Sequence, residues 1–544
     1  MRTPLVLPKD PAAGALGTGD AALRWAASAA RLLPWASLGA ILAVAIALRL
    51  YHLDGLVTYY PDSYAQLRSV DNLLSGHFPT SYLYPPGVAL FLAPAFAVLP
   101  NTLVTMQATI LVAGIALVLL AYGAGSATTG DRRAALIFAT AVALGAPFVY
   151  YSRVAWFDVI NTLLIATTLF LARPAAWRGG AAHVAYGALV FVAITVRLSN
   201  VILLPALYLA SLPGDLRSFS WREIAGHLRS RAVLSAALVI AALYATYLAV
   251  SFDTVSRLTN PKAGSIIDLS GYLPRLARYV EATFIGYGDQ FFWQDGVAAV
   301  AVLAFAAAGA RHLWSTNRAL LVPLACVIVL WSPVHAAYHV FAGRYAMPAF
   351  FFVLLLAATG LSRSISWQRG LPEMWQRVGA AVLLTLGVTF FLGRHLALDT
   401  AFLQRWPQDV ASGREVAYDD IRTALRGLDG RNAILVSSQA LAVDRANPEI
   451  RTLDLIRHSE TYGINEDAIE RLLAYVREQQ AAGKTVYFHY TEFEDVGSRF
   501  RKYELGFDAY FSALEREHTV RELMRADAGR RVQRLYAIEP AAAP

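Results

Sequence analysis

In a chain of 544 residues, 56% hydrophobic side chains against 16% charged ones is too apolar for an ordinary soluble protein and points to a polytopic membrane protein. The formal charge of +8 does not argue for nucleic acid, because the arginines gather in short segments between apolar runs and no nucleic-acid reader motif accompanies them. The single cysteine, Cys326, excludes an intramolecular disulfide and a cysteine-based metal site.

Residues 1–33 read as a cytoplasmic tail, and the apolar run at 34–51 as an uncleaved anchor, since no small-residue cleavage site follows it. Further runs of spanning or near-spanning length fall at 102–124, 134–150, 158–173, 183–197, 199–212, 232–251, 296–311, 319–335, 345–361 and 376–394. Hydropathy therefore predicts about eleven transmembrane helices within 34–398. The run at 87–99 is interrupted by Pro94 and is too short for the roughly 30 Å hydrocarbon core, so it reads as a half-inserted helix. With that count and the N-terminus inside, the arginine-rich connections fall on the cytoplasmic side. They carry Arg132 and Arg133, Arg173 and Arg178, Arg217 to Arg231, Arg311 and Arg318, and Arg363 to Arg377. Two longer connections, 52–101 and 252–295, and everything after 398 then face outward. The second connection contains an amphipathic piece at 272–285 suited to the interface. From about Asp399 the composition becomes charged and mixed, which predicts an extracytoplasmic α/β domain over 399–544. Its helices are expected near 416–428, 465–480 and 507–517, and its strands near 432–437, 485–490 and 532–538.

The chemistry is expected in the first outer connection. Asp54, Asp62 and Asp71 lie there among tyrosines that include Tyr59, Tyr60 and Tyr64, with Arg68 and His77 nearby and the rigid Tyr84-Pro85-Pro86-Gly87 turn closing the stretch. On the same side fall Arg153 and Asp158, Arg197, and the group His335, His339, Arg344 and Tyr345. Arginines converging with a carboxylate at a bilayer surface suit a lipid phosphate beside an oxygen nucleophile that must lose a proton. Each residue also has a purely structural reading. Asp62 can cap the following helix, Arg153 and Asp158 can form an ion pair at a helix junction, Arg197 can snorkel to headgroups, and Arg344 with Tyr345 can anchor the interface. His335 and His339 have helical spacing for a metal pair but no third ligand in the sequence pattern. No phosphate-cradling glycine loop and no nucleophile elbow is present in the pattern.

In the order of these features the chain resembles the GT-C membrane glycosyltransferases, in particular the bacterial relatives of protein O-mannosyltransferases and the lipid A aminoarabinose transferases. The resemblance runs from Asp62 and Tyr64, through Leu74-Ser75-Gly76, Pro85-Pro86-Gly87 and Gly130-Asp131-Arg132-Arg133, to Asp158, Thr195 to Arg197, and Arg344-Tyr345 with Pro348. It covers about residues 36–361 and leaves out the C-terminal domain. Relatives carry Glu directly after the first-loop Asp, whereas here Asp62 is followed by Ser63. The resemblance implies a polyprenyl-phosphate-linked sugar donor and inverting transfer at the outer face of a bacterial plasma membrane. The acceptor would be a glycan, lipid or protein. Asp62 would be the general base, with Tyr60, Tyr64, Arg153, Asp158, Arg197, His339, Arg344 and Tyr345 around the substrates. No cofactor is required, and a divalent metal is compatible with the pattern without being indicated by it. Two readings from other classes compete. A transporter or flippase of a lipid-linked glycan would show paired repeats and charges at mid-membrane, and a structural subunit would use its tail to recruit partners.

Overall fold

The computed structural model describes residues 19–51, 53, 61–78, 85–172, 179–212, 221–250, 269, 271–280, 282–283, 296–337, 343–411, 425, 430, 432–437, 450–455, 458, 465–493, 501–528 and 531–540. Five described helices are long and apolar enough to cross a membrane: Leu32–Leu50 within α1 (Gly19–Leu50), α4 (Leu103–Thr129), Arg231–Ala249 within α11 (Arg231–Val250), α14 (Arg318–Ala336) and Gly343–Arg369, which includes α15 (Met347–Arg369). The pair α5 (Arg132–Leu144) and α6 (Ala146–Arg153), bent by 51°, makes a sixth if counted as one span. Helices occupy all eleven expected runs, but several are short, among them α7 (Asp158–Leu171), α8 (Gly180–Val196) and Ser199–Ser211, so eleven full spans are not established.

The helix boundaries follow from local chemistry. Thr102 caps α4 by accepting from the Thr105 amide, and Gly130 ends it in a left-handed conformation at φ +63°. Asp131 then caps α5 by accepting from the Arg133 amide, and its other oxygen accepts from Ser362 Oγ. The Gly130-Asp131-Arg132-Arg133 stretch is thus a stop and a start between two helices. Gly145, with Pro147 just after it, breaks α5 from α6.

The expected outer connection 52–101 is built into the helical body where it is described. Helix α2 (Pro61–Leu74) buries Leu67 and Val70, and the ten-residue α3 (Gly87–Phe96) buries Val88, Ala89 and Leu92, all in the main core. At the centre lies α15 (Met347–Arg369), whose residues 347–362 are all buried. It crosses α13 (Gly296–Thr316) so closely that a Cβ on Gly360 would lie 1.9 Å from the Phe305 carbonyl oxygen. The short α12 (Tyr272–Val280) packs on the end of α14, with Tyr279 buried and Arg275 Nε donating to the Ala336 carbonyl at 2.9 Å.

The compositional change at Asp399 falls inside one continuous helix, α16 (Met374–Ala411). Beyond it a five-stranded mixed sheet has the order β2-β1-β3-β5-β4, from β1 (Ala433–Ser437), β2 (Arg451–Asp454), β3 (Thr485–Phe493), β4 (His518–Ala528) and β5 (Arg531–Pro540). Strands β2, β1 and β3 run parallel, while β5 and β4 are antiparallel additions. Helices α17 (Glu466–Ala481), capped by Asn465, and α18 (Arg501–Glu517) pack with the sheet around Val436, Leu472, Phe488 and Tyr510. The expected strands at β1, β3 and β5 and the helices at α17 and α18 are present; β2 and β4 went unread, and the expected helix at 416–428 lies outside the described residues save Leu425.

Candidate active site

Three helix ends meet at one carboxylate. Asp158 opens α7, Arg197 stands on the extended residue that ends α8, and Arg344 and Tyr345 lie in the 3₁₀ turn Gly343–Ala346 that leads into α15. Asp158 is 1% exposed, and each of its oxygens faces a guanidinium: Arg197 Nη2 donates to Oδ1, and Arg344 Nε lies 3.4 Å from Oδ2. Two guanidiniums thus converge on one carboxylate in a buried setting. Aromatic neighbours hold the cations in place. Arg197 lies 3.9 Å over the Tyr345 ring and 4.9 Å over Phe157, and Arg344 lies 4.6 Å over Trp156. A centre of this kind suits a bound anion, and a phosphate offers the oxygens that arginines bind best.

Behind Tyr345 lies a second layer. Trp331 Nε1 donates to the Tyr345 carbonyl, and His335 stacks on Trp331 with ring centroids 4.7 Å apart. His335 Nδ1 is 2.9 Å from the Trp331 carbonyl and Nε2 is 3.1 Å from Ser199 Oγ. A carbonyl can only accept, so Nδ1 donates to it and Nε2 accepts from the serine hydroxyl. Both ring nitrogens are therefore engaged in supporting the turns that carry Arg197 and Tyr345. His339, the other half of the spaced pair, lies outside the described residues, among which no group of three His, Cys, Asp or Glu side chains is arranged around a metal position.

Asp62 is the second residue of α2. Its side chain and that of Tyr64 lie outside the described residues, as does Tyr60 altogether. The neighbouring Ser63 is buried and donates to the Ala155 carbonyl at 2.5 Å. This bond docks the first turn of α2 on the 154–157 connection, three residues from Asp158. Where the resemblance leads one to expect a glutamate, the chain thus carries a small buried donor that ties α2 to the Asp158 centre. Asp71, by contrast, is exposed and accepts from Asn101 Nδ2. Gly87 serves the same centre through packing: a Cβ there would lie 2.4 Å from both the Val192 carbonyl oxygen and the Val196 amide, in the last turn before Arg197.

Arg153 turns elsewhere. It is fully buried, and its Nη1 donates to the Leu48 carbonyl at 2.8 Å. Among the described residues no ion pair joins Arg153 to Asp158, whose arginine partners are Arg197 and Arg344, so the reading of the two as an ion pair at a helix junction does not hold. Sequence reasoning missed Arg49, His395 and Asp399, along with Trp156, Phe157 and Ser199. An arginine in the last turn of the first apolar run was a usable signal, since charge inside a membrane helix is costly unless it has work to do.

Among solved structures, the chain is similar to ArnT from Cupriavidus metallidurans in the apo state, with TM-score 0.59, 15% identity, and coverage of 94% of this chain and 98% of that one. The same protein bound to undecaprenyl phosphate matches with TM-score 0.52 at the same identity and coverage. The archaeal oligosaccharyltransferase AglB from Archaeoglobus fulgidus, in complex with an inhibitory peptide and a dolichol-phosphate, matches with TM-score 0.50 and 12% identity over 95% of this chain and 75% of that one. No family model and no curated protein sequence matches. ArnT is a lipid A aminoarabinose transferase, and both neighbours are GT-C glycosyltransferases. At these identities the likeness is one of fold, and the chain shares the fold of these two proteins.

Proposed function

We propose that this protein is a membrane glycosyltransferase that moves a monosaccharide from a polyprenyl-phosphate carrier to an acceptor hydroxyl at the outer face of a bacterial plasma membrane, with inversion. The observation that carries this reading is the convergence of two buried arginines, Arg197 and Arg344, on Asp158, set beside the helix that bears Asp62. Two of the neighbouring structures, bound to undecaprenyl phosphate and to dolichol-phosphate, are consistent with a lipid-phosphate ligand for this fold. In the step, the acceptor oxygen bonds to the anomeric carbon from the face opposite the phosphate. The bond from that carbon to the phosphate oxygen breaks, and the carrier leaves with the electron pair as polyprenyl phosphate. The leaving group needs cationic stabilisation, which Arg197 and Arg344 supply; the hydroxyl proton passes to the Asp62 carboxylate. Asp158 aligns the two arginines. The step balances without a cofactor. The arginine-rich connections place the N-terminus inside and the sheet domain outside.

The test is release of free polyprenyl phosphate by purified protein given a polyprenyl-phosphate sugar and candidate glycan, lipid and protein acceptors. Release is expected with one acceptor class. Asp62→Asn should retain donor binding and lose about 10²- to 10⁴-fold in turnover, whereas turnover within a few-fold of the parent would remove Asp62 as the base. Movement of the intact donor across vesicle membranes, with no carrier released for any acceptor, would replace the transferase reading with a flippase.

A further inference from the structure

The two elements that carry Asp158 and Arg197 are joined a second time, about one turn further along each. Helix α8 ends at Val196, Arg197 is extended, and a 3₁₀ turn follows over Leu198–Ile202. Asn200 lies in that turn, three residues after Arg197, and Asn161 lies in α7, three residues after Asp158. Asn200 Nδ2 donates to Asn161 Oδ1 at 2.6 Å and to the Ala193 carbonyl at 2.7 Å. A carbonyl can only accept, so the Asn200 atom that faces Ala193 is its nitrogen, and the Asn161 atom it meets is an oxygen. Both asparagines are at most 1% exposed.

The bonds of Asn200 do separate things. Its backbone amide donates to the Arg197 carbonyl at 2.9 Å and closes the turn. Its side chain serves Ala193 in the last turn of α8, where a helix end leaves carbonyls without an intrahelical partner, and so caps that helix. The bond to Asn161 ties the capped end to α7. From the other side, the neighbouring Ser199 hydroxyl donates to His335 on α14. A neutral bridge holds the two elements together without drawing on the charge of Arg197, which stays available to an anion.

We propose that Asn161 and Asn200 are positioning residues: their bridge fixes the turn that carries Arg197 against the start of α7, so that the guanidinium is held where it meets both Asp158 and the donor phosphate. The phosphate and the turnover measurement rest on the glycosyltransferase reading; the structural measurement below is made without substrate.

The experiment compares full-length parent protein, Asn161→Leu, Asn200→Leu and the double variant by hydrogen exchange with mass spectrometry. Leucine is close to asparagine in size and makes no side-chain hydrogen bond. Asn161→Leu is the mild change, because it breaks the bridge and leaves the Asn200 bond to Ala193 in place. The double variant removes the bridge's donor and acceptor together, so it folds even if Asn200→Leu, with the Asn161 oxygen left unpaired, does not. Exchange over residues 197–202 is expected to quicken about tenfold in Asn161→Leu, with 347–362 unchanged. The double variant is expected to go no further than Asn200→Leu, since one bridge cannot be lost twice. In turnover, the KM for the donor is expected to rise about tenfold while that for the acceptor holds, because a misplaced Arg197 meets the donor phosphate badly. A merely structural loss lowers the active fraction, and so kcat, and leaves KM alone. Parent-like exchange at 197–202 in folded Asn161→Leu or in the double variant overturns the proposal whatever the enzyme's activity, and so does a quickened exchange with the donor KM unmoved. Quickened exchange in a protein whose parent turns over no donor leaves the positioning of Arg197 standing and removes the transferase reading instead.

Discussion

Replacing Asp158 with Asn tests the central electrostatic claim, because it keeps the shape of the side chain and removes only the charge. In the folded protein the carboxylate is 1% exposed and its two partners are 10% and 9% exposed, so water screens none of the three effectively. Without the carboxylate, both guanidiniums lose the anion they share. Breaking a buried pair from one side costs about 3–5 kcal/mol, chiefly because the surviving charge is uncompensated. Arg197→Gln is the milder change: it leaves Asp158 and Arg344 as a balanced pair and forfeits one charge-assisted hydrogen bond, worth about 1.5–3 kcal/mol. Equilibrium unfolding in mixed micelles without donor should therefore rank Asp158→Asn below Arg197→Gln in stability. Free polyprenyl phosphate should then stabilise Asp158→Asn more than the parent, since the phosphate supplies the missing negative charge; at a hundredfold excess over Kd a ligand contributes about 2.7 kcal/mol. The reverse order of stabilities, or equal stabilisation of all three proteins by the lipid, would refute the claim that the arginines of this centre bind an anion.

Gly87→Ala should lower stability by about 1–3 kcal/mol, as overpacking does, and weaken donor binding, because the new methyl pushes on the turn that ends at Arg197; unchanged lipid-phosphate affinity would separate Gly87 from the site. In the sheet domain, burial pushes the His489 imidazole down from 6.5 to about 4, partly opposed by the Gln533 side chain. The unfolded chain therefore takes up a proton that the folded one refuses. The stability contributed by neutral His489 is complete above pH 6.5 and is lost as pH falls toward 4, by about 2 kcal/mol between pH 7 and pH 5. Unfolding of the domain followed at both pH values in His489→Gln should lack this component, and equal sensitivity in parent and variant would refute it. Reporter fusions active only outside the cytoplasm should work after Asp71, Asp289 and Arg445 and be silent after Arg133 and Arg222, with activity at Arg222 overturning the orientation.

Much of the fold was legible because the signals are local. The apolar runs and the short Pro94-interrupted helix each depend on neighbours in sequence. The strand and helix periods of the sheet domain likewise placed β1, β3, β5, α17 and α18. β4 was not legible, since alternating charged residues such as Arg521, Glu522 and Arg525 read as a solvated segment until β5 pairs beside it. The end of the helical part was also misplaced. Charged composition at Asp399 reads as the start of a soluble domain, whereas that aspartate is buried inside a helix.

The amino-acid order by itself determined that the chain is a membrane-embedded helical body followed by an α/β domain, and that Asp158, Arg197, Arg344 and Tyr345 are chemically conspicuous. It did so because apolar length, helix caps and misplaced charge are properties of short segments. Only the tertiary structure decided which charges meet. Arg153 and Asp158 are five residues apart yet turn to different partners: Arg153 donates to the Leu48 carbonyl, while Asp158 meets Arg344 across nearly two hundred residues. Pairing of buried charges depends on which helix ends packing brings together, and close approaches such as that of Gly87 to Val192 and Val196 govern that packing.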